Sequence, residues 1–206
     1  MSVTITPQAS QLRDDLELLT RLAIRDLSGV GDSLDALVAA IEELVATYGS
    51  AAAAAAADWY DDLRDLNEVP GRFQAVVPEI RDPGASALVS WAYQFDAVRS
   101  LIEGGVQRRI LNAARETITG SSVADPRARG WQRVGHGECG WCLMLISRGA
   151  VYSKATADFS SHDSCRCTAQ PAWGGREVAV KPFIPSERDV SDADRARAKA
   201  WIAANL

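Results

Sequence analysis

The sequence holds only two histidines and four cysteines in 206 residues. No apolar run approaches the roughly 18 residues that a membrane-spanning helix needs. The alanine tract at 51–57 is too short and too weakly apolar to serve as one. The N-terminal stretch TPQASQLRDDLELL is acidic and amphipathic, unlike the basic-then-apolar pattern of a secretory signal. These absences predict a protein without a membrane partner that begins in a reducing cytoplasm. There is no glycine-rich phosphate loop and no His-Glu-x-x-His pattern, which removes two large enzyme classes. No internal repeat is visible. A Ser-His protease would have to use one of the two histidines, and both sit in or beside the cysteines. A Cys165–His162 nucleophile pair lacks an orienting third group. No enzyme activity is expected.

What is present is an ordinary globular composition, 47% apolar and 24% charged, with an uneven charge distribution. Residues 1–98 carry 16 acids and 6 bases, whereas residues 99–206 carry 11 acids and 16 bases. The second half can therefore approach a phosphate backbone or an acidic partner. Its excess of five positive charges is far below that of a dedicated nucleic-acid binder.

The first half reads as helix. Thr6-Pro7 has the form of an N-cap followed by proline at the first helical position. Leu12, Leu16, Leu19, Ala23 and Leu27 make one stripe, and Arg13, Arg21 and Arg25 lie off it. Asp32 or Ser33 can cap a second helix with Leu34, Leu37, Val38, Ile41, Leu44, Val45 and Tyr48 on its buried face, stopped by Gly49. Ser50 then opens a third helix through the alanine tract to Leu66. Alanine combines high helix propensity with little bulk, so the tract predicts a close packing surface. Asp58, Asp61, Asp62 and Asp65 on that helix read as a solvated acidic face. Prolines and glycines at 70–84 mark a looser connector. A fourth helix is expected with Leu88, Trp91, Ala92, Phe95 and Val98, and Gly104-Gly105 should kink the chain before a fifth.

From Gly130 the pattern changes. Residues 131–134 and 167–170 alternate like short strands, Val151-Tyr152 is extended, and residues 142–148 look like a two-turn helix stopped by Gly149. A terminal helix follows from Ser191. The expected fold class is mainly α: a helical bundle over 1–125, a small zinc-stapled α+β module over 126–173, and a linker with a C-terminal helix over 174–206.

All cysteines and histidines fall in that module, as His136-x2-Cys139-x2-Cys142-x19-His162-x2-Cys165-x-Cys167. A Cys-x2-Cys pair facing a distant His/Cys group has the spacing of a tetrahedral zinc site. Two disulfides are the weaker reading, given the reducing compartment and the single residue between Cys165 and Cys167. Cys139 and Cys142 are the expected knuckle. His162, Cys165 and Cys167 compete for two remaining positions, giving either all four cysteines or three cysteines with His162. Alternate residues of an extended segment share a face, so Cys165 and Cys167 should point together and Arg166 away. His136 stands between two glycines and is the outsider. A closed set of four ligands implies a structural Zn2+, because a catalytic zinc keeps a position open for water.

The motif His136-Gly-Glu-Cys139-Gly-Trp-Cys142-Leu-Met-Leu, then Ser147-Arg-Gly-Ala-Val-Tyr152, then His162-Asp-Ser-Cys165-Arg-Cys167 resembles the C-terminal module of phage Mu F-like minor head proteins. Asp163 stands where that family has proline. The alanine- and arginine-rich composition is similar to that of actinobacterial phages. The resemblance implies a minor capsid protein for head morphogenesis, located inside the head near the portal. It implies the portal protein as partner, with scaffold, major capsid protein and packaged DNA as further contacts, and the host cytoplasm as the place of assembly. Some members of the family are fused to a capsid maturation protease, for which residues 1–206 leave no room. Other readings are a nucleic-acid-binding zinc module, using Arg127, Arg129, Arg133, Arg148 and Arg166 with Trp131 and Trp141, and a protein associated with a maturation protease. A third, an enzyme descended from an ADP-ribosyltransferase-like fold, lacks a recognisable catalytic glutamate set.

Overall fold

A computed structural model describes residues 7–81, 84–135, 140–152, 159–163, 165–174 and 191–205. The expected cap Thr6, the outsider His136 and the expected ligand Cys139 lie outside these residues. Helix α1 spans Pro7–Ser28 and α2 spans Leu34–Leu66. Helix α3 spans Ala85–Ala92 and α4 spans Val98–Ala124. Strand β1 (Gly130–Val134), helix α5 (Gly140–Ser147), strand β2 (Thr168–Ala172) and helix α6 (Asp192–Asn205) follow. The protein is mainly helical, as its apolar periodicity predicts.

The stripe predicted for α1 faces inward, with Leu12, Leu16, Ala23 and Leu27 buried. Helix α2 starts at the expected cap, where the Ser33 hydroxyl accepts the Ala36 N–H at 3.3 Å. It then runs unbroken past Gly49, so the two helices expected over 33–66 are one. An isolated glycine costs a helix only about 1 kcal/mol, and the alanine tract that follows favours continuation. Gly49 serves packing: a Cβ there would stand 3.0 Å from the Ile80 side chain and 3.7 Å from Ala113 of α4. The buried Ala52, Ala53 and Ala56 make the close surface that the tract implies.

Gly104-Gly105 likewise produces no break, because α4 passes straight through it. A Cβ on Gly105 would come within 2.6 Å of Leu88, so the missing side chain admits α3 against α4. The break falls earlier, at residues 93–97. Of the residues expected in the fourth helix, Phe95 falls beyond its end, and Trp91 and Phe95 are 40% and 49% exposed and meet edge to face. Arg99 at the start of α4 donates to the Leu27 and Val30 carbonyl oxygens and to Asp32, tying α4 to the end of α1 and the turn that follows it.

By length and composition, α2 is apolar enough to cross a membrane, with a mean hydropathy of 1.3 in its most apolar window. This departs from the expectation that no segment comes near that threshold. In the fold its apolar face packs against α1, α3 and α4, as the core helix of a globular protein does.

Strands β1 and β2 pair antiparallel, with Trp131 opposite Pro171 and Arg133 opposite Ala169. These four residues are the buried face of the two-stranded sheet. Proline is tolerated because Trp131 turns both its backbone groups to the other side: its carbonyl oxygen, which would otherwise need the missing proline N–H, accepts from the Tyr152 N–H at 3.3 Å, and its N–H donates to the Tyr152 carbonyl oxygen at 2.9 Å. Trp131, Tyr152 and Ala169 belong to the same buried cluster as the helical core, so the sheet continues that core. Helix α6 contacts α5.

A buried ion pair closes the far end. Arg64 Nε donates to Asp125 Oδ2 at 3.1 Å, and Trp173 Nε1 donates to the same oxygen at 2.9 Å. Burial alone would raise the Asp125 carboxyl. The Trp173, Arg127 and Arg64 donors outweigh it and hold the group below the usual carboxylate range.

Two predictions follow from this packing. Gly105→Ala should lower stability by about 1 kcal/mol, overpacking exceeding the gain in helix propensity. Gly120→Ala, with open space around it, should raise stability by about 0.5–1 kcal/mol, and urea denaturation of both variants checks the contrast. Because its folded pKa is depressed, Asp125 contributes stability present above its unfolded value of about 3.9 and lost as pH falls through the folded value. Asp125→Asn should destabilise the protein by about 3 kcal/mol at pH 7 and flatten that acid limb in thermal melts recorded across pH.

Candidate metal centre

Helix α5 carries Cys142 in its first turn, and the segment entering β2 carries Cys165 and Cys167. The three side chains are buried and free of disulfides, and their sulfur atoms all lie within 4.8 Å of one another. Cys142 Sγ is 3.6 Å from Cys165 Sγ. Ligand sulfurs on one tetrahedral zinc, at about 2.3 Å from the metal, stand about 3.8 Å apart. The donor set therefore fits a thiophilic divalent metal.

The alternation predicted for 165–167 holds: Cys165 and Cys167 turn inward together while Arg166 is exposed. His162 is also drawn in, with Nε2 3.7 Å from Cys142 Sγ. Its Nδ1 lies 2.7 Å from the Asp163 carbonyl oxygen. That oxygen can only accept, so Nδ1 carries the proton. His162 is solvent-exposed and stands outside the mutual three-sulfur group.

The thiols influence one another. A hydrogen bond from the Cys167 thiol, opposed by burial and reinforced by the Cys167 N–H and the charge of Arg115, holds Cys165 well below the usual thiol range. Cys167, as the donor, is pushed up. The pair thus favours a thiolate at Cys165, the form in which cysteine binds metal.

What fastens this segment to the helical core is Arg115, at 1% exposure in the middle of α4. Its Nε donates to the Cys167 carbonyl oxygen at 2.9 Å and its Nη2 to that of Cys165 at 2.6 Å. Asn112 Oδ1 accepts from Arg115 Nη1 and from the Ser161 hydroxyl. Burial draws Arg115 down to about 10, which leaves it charged at neutral pH. Phe159 lies between two guanidinium groups, Arg133 at 3.8 Å and Arg115 at 5.0 Å from the ring centre. Arg133 donates to the Ser160 carbonyl oxygen, while its buried Nε and Nη1 have no hydrogen-bond partner. Arg108 pairs with Asp163 at 3.2 Å.

None of these supporting residues is apparent from cysteine spacing. The one available signal was Arg115 itself, four residues after Leu111 and three before Ile118, on the apolar face where a solvated arginine does not belong.

Fold and site together define a mainly helical protein with a small two-stranded sheet and a buried three-thiol cluster able to hold a metal ion. The chain belongs to the VG15 protein family, whose sequence model matches residues 6–191. It is similar to the Gene 15 protein of Mycobacterium phage L5, 35% identical over 211 aligned positions that cover 74% of this chain and 71% of the relative. A 53-residue stretch is 45% identical to the Gene 15 protein of Mycobacterium phage D29, covering 23% of this chain and 19% of that protein. No solved structure shows a significant match.

Arg115→Met keeps the stem but removes the donors. It should cost about 1–3 kcal/mol for each carbonyl left unpaired, read by chemical denaturation, with Arg21→Met on the exposed side of α1 as a near-neutral control.

Proposed function

We propose that this protein is a minor capsid protein of a tailed phage, a Mu F-like head morphogenesis component carried inside the head beside the portal. The observation that carries this reading is kinship along most of the chain with the gene 15 product of a mycobacterial phage. The resemblance of residues 136–167 to the Mu F-like module supports it independently. In this role the long helices α2 and α4 form a rigid scaffold for the portal, and scaffold protein, major capsid protein and packaged DNA are further contacts. Assembly takes place in the host cytoplasm, without a membrane.

The thiol cluster holds a structural Zn2+. Cys142, Cys165 and Cys167 supply three thiolates, and Cys139, set by the Cys-x2-Cys spacing, supplies the fourth. His162 stands at the edge of the site. The metal, when bound, supplies cross-linking between α5 and the segment leading into β2, and no catalytic role is assigned to it. Residues 143–161 are too few to bury a core of their own, so a metal is a physically reasonable staple there.

Two measurements test the reading. Mass spectrometry of purified virions should find the protein, and co-expression should co-purify it with the portal protein of the same phage. Absence from both overturns the head assignment. Elemental analysis of untagged protein should find about one zinc per chain, lost in Cys139→Ser and retained in His162→Ala. The reverse pattern replaces Cys139 with His162 as the fourth ligand, and no zinc at all overturns the site.

A further inference from the structure

Two arginines are buried beside the thiol cluster, Arg115 of α4 at 1% and Arg133 of β1 at 3% exposure. Their guanidinium groups stand 5.0 and 3.8 Å from the centre of the Phe159 ring, and Phe159 also packs on the buried cysteines. Continuing the register of the sheet puts Cys167 on the same buried face as Arg133 and Ala169, and a Cβ on Gly135 would stand 3.1 Å from the Cys167 Cα. Among the described residues, no carboxylate pairs with either arginine. Arg115 gives its donors to two carbonyl oxygens and to Asn112. Arg133 donates to the Ser160 carbonyl oxygen, and its Nε and Nη1 are buried without a partner. Hydrogen bonds to neutral groups solvate a cation without cancelling its charge. Elsewhere the fold does cancel it: Arg64, equally buried, meets Asp125. Two like charges held around one ring in a low-dielectric interior need an anionic centre within reach. The thiol cluster is the group in position to be that centre.

We propose that Arg115 and Arg133 are the counter-charges of the metal centre and that together they favour a four-thiolate ligand set. The inference rests on the zinc reading above and extends it by assigning the net charge of the site. Four thiolates around a divalent ion carry two net negative charges, which two arginines balance. Three thiolates with a neutral imidazole carry one, and leave one buried cation unmatched. Charge therefore favours Cys139 over His162 as the fourth donor, in keeping with the solvent exposure of His162. The two arginines divide the work. Arg115 also fastens the backbone of Cys165 and Cys167, whereas Arg133 makes no hydrogen bond to a cysteine and acts through its charge. Arg166 lies between two ligands in sequence, but it is exposed, and solvent screens it.

Zinc affinity of the full chain tests the proposal, with metal-stripped, reduced protein competing for zinc against a chromophoric chelator. Arg133→Gln removes the charge and keeps a donor for the Ser160 carbonyl oxygen, and it should weaken zinc binding about tenfold. Arg133→Lys keeps the charge and should stay within about threefold of the parent. An arginine with only a packing role would give equal losses in both, because lysine also gives up the planar stacking on Phe159. Coupling to the ligand set is the sharper readout. Cys139→His removes one negative charge from the centre, so the loss it causes should be about tenfold smaller when Arg133→Gln is also present. Independent losses, equal losses in the glutamine and lysine variants, or a Cys139→His variant that binds zinc as the parent does each overturn the proposal. Circular dichroism checks the fold of every variant. Should Arg133→Gln fail to fold, Arg133→Met, whose apolar stem packs on Phe159, takes its place in the same comparisons. A parent chain that binds no zinc overturns the metal reading itself, a result distinct from all of these.

Discussion

The buried guanidinium of Arg115 is the constraint on which the rest of the structure turns. It reaches from the middle of α4 to the carbonyl oxygens of Cys165 and Cys167, joining the helical scaffold to the thiol cluster with two charge-assisted hydrogen bonds. A charge is expensive to bury, and here backbone acceptors, Asn112 and a nearby thiolate offset the cost. The arrangement fixes the backbone that presents both sulfurs. Only with that backbone held can Cys142, arriving on a separate helix, meet them within metal-binding distance.

The same logic recurs at the C-terminal end of α4. Asp125 gathers Arg64 from α2 and Trp173 from beyond β2, again joining the scaffold to the sheet through a buried charge. Between these two polar clasps lies a continuous apolar core containing Trp131, Tyr152 and Ala169. Residues of the helical half and of the cysteine-bearing half thus contribute to one buried cluster. A small module that buries little surface of its own gains order from its neighbour and, under the zinc reading, from the metal.

Much of the fold was legible because long amphipathic helices state their buried faces directly: Leu12, Leu16, Ala23 and Leu27 in α1, and Leu37, Ile41 and Val45 in α2. The inward pairing of Cys165 and Cys167 was legible from the two-residue period of extended chain. Glycine misled. Gly49 and Gly105 read as punctuation, yet each permits a close approach between packed elements, a role that depends on a neighbour far away in sequence. The exposure of Trp91 and Phe95 was hidden for a related reason, since a turn at 93–97 carries no strong breaker. Arg115 and Asp125 were hidden because a charged residue in a helix is ordinarily solvated. Their partners lie 50 and 61 residues away along the chain.

Native-state hydrogen exchange on zinc-loaded and metal-stripped protein tests the central claim, that a metal-held thiol cluster is clasped to a helical scaffold stable in its own right. Removing the metal should abolish protection in α5 and β2 while α1, α2 and the first half of α4 keep theirs. Unchanged protection in α5 and β2, or collapse of protection throughout the helices, would contradict it.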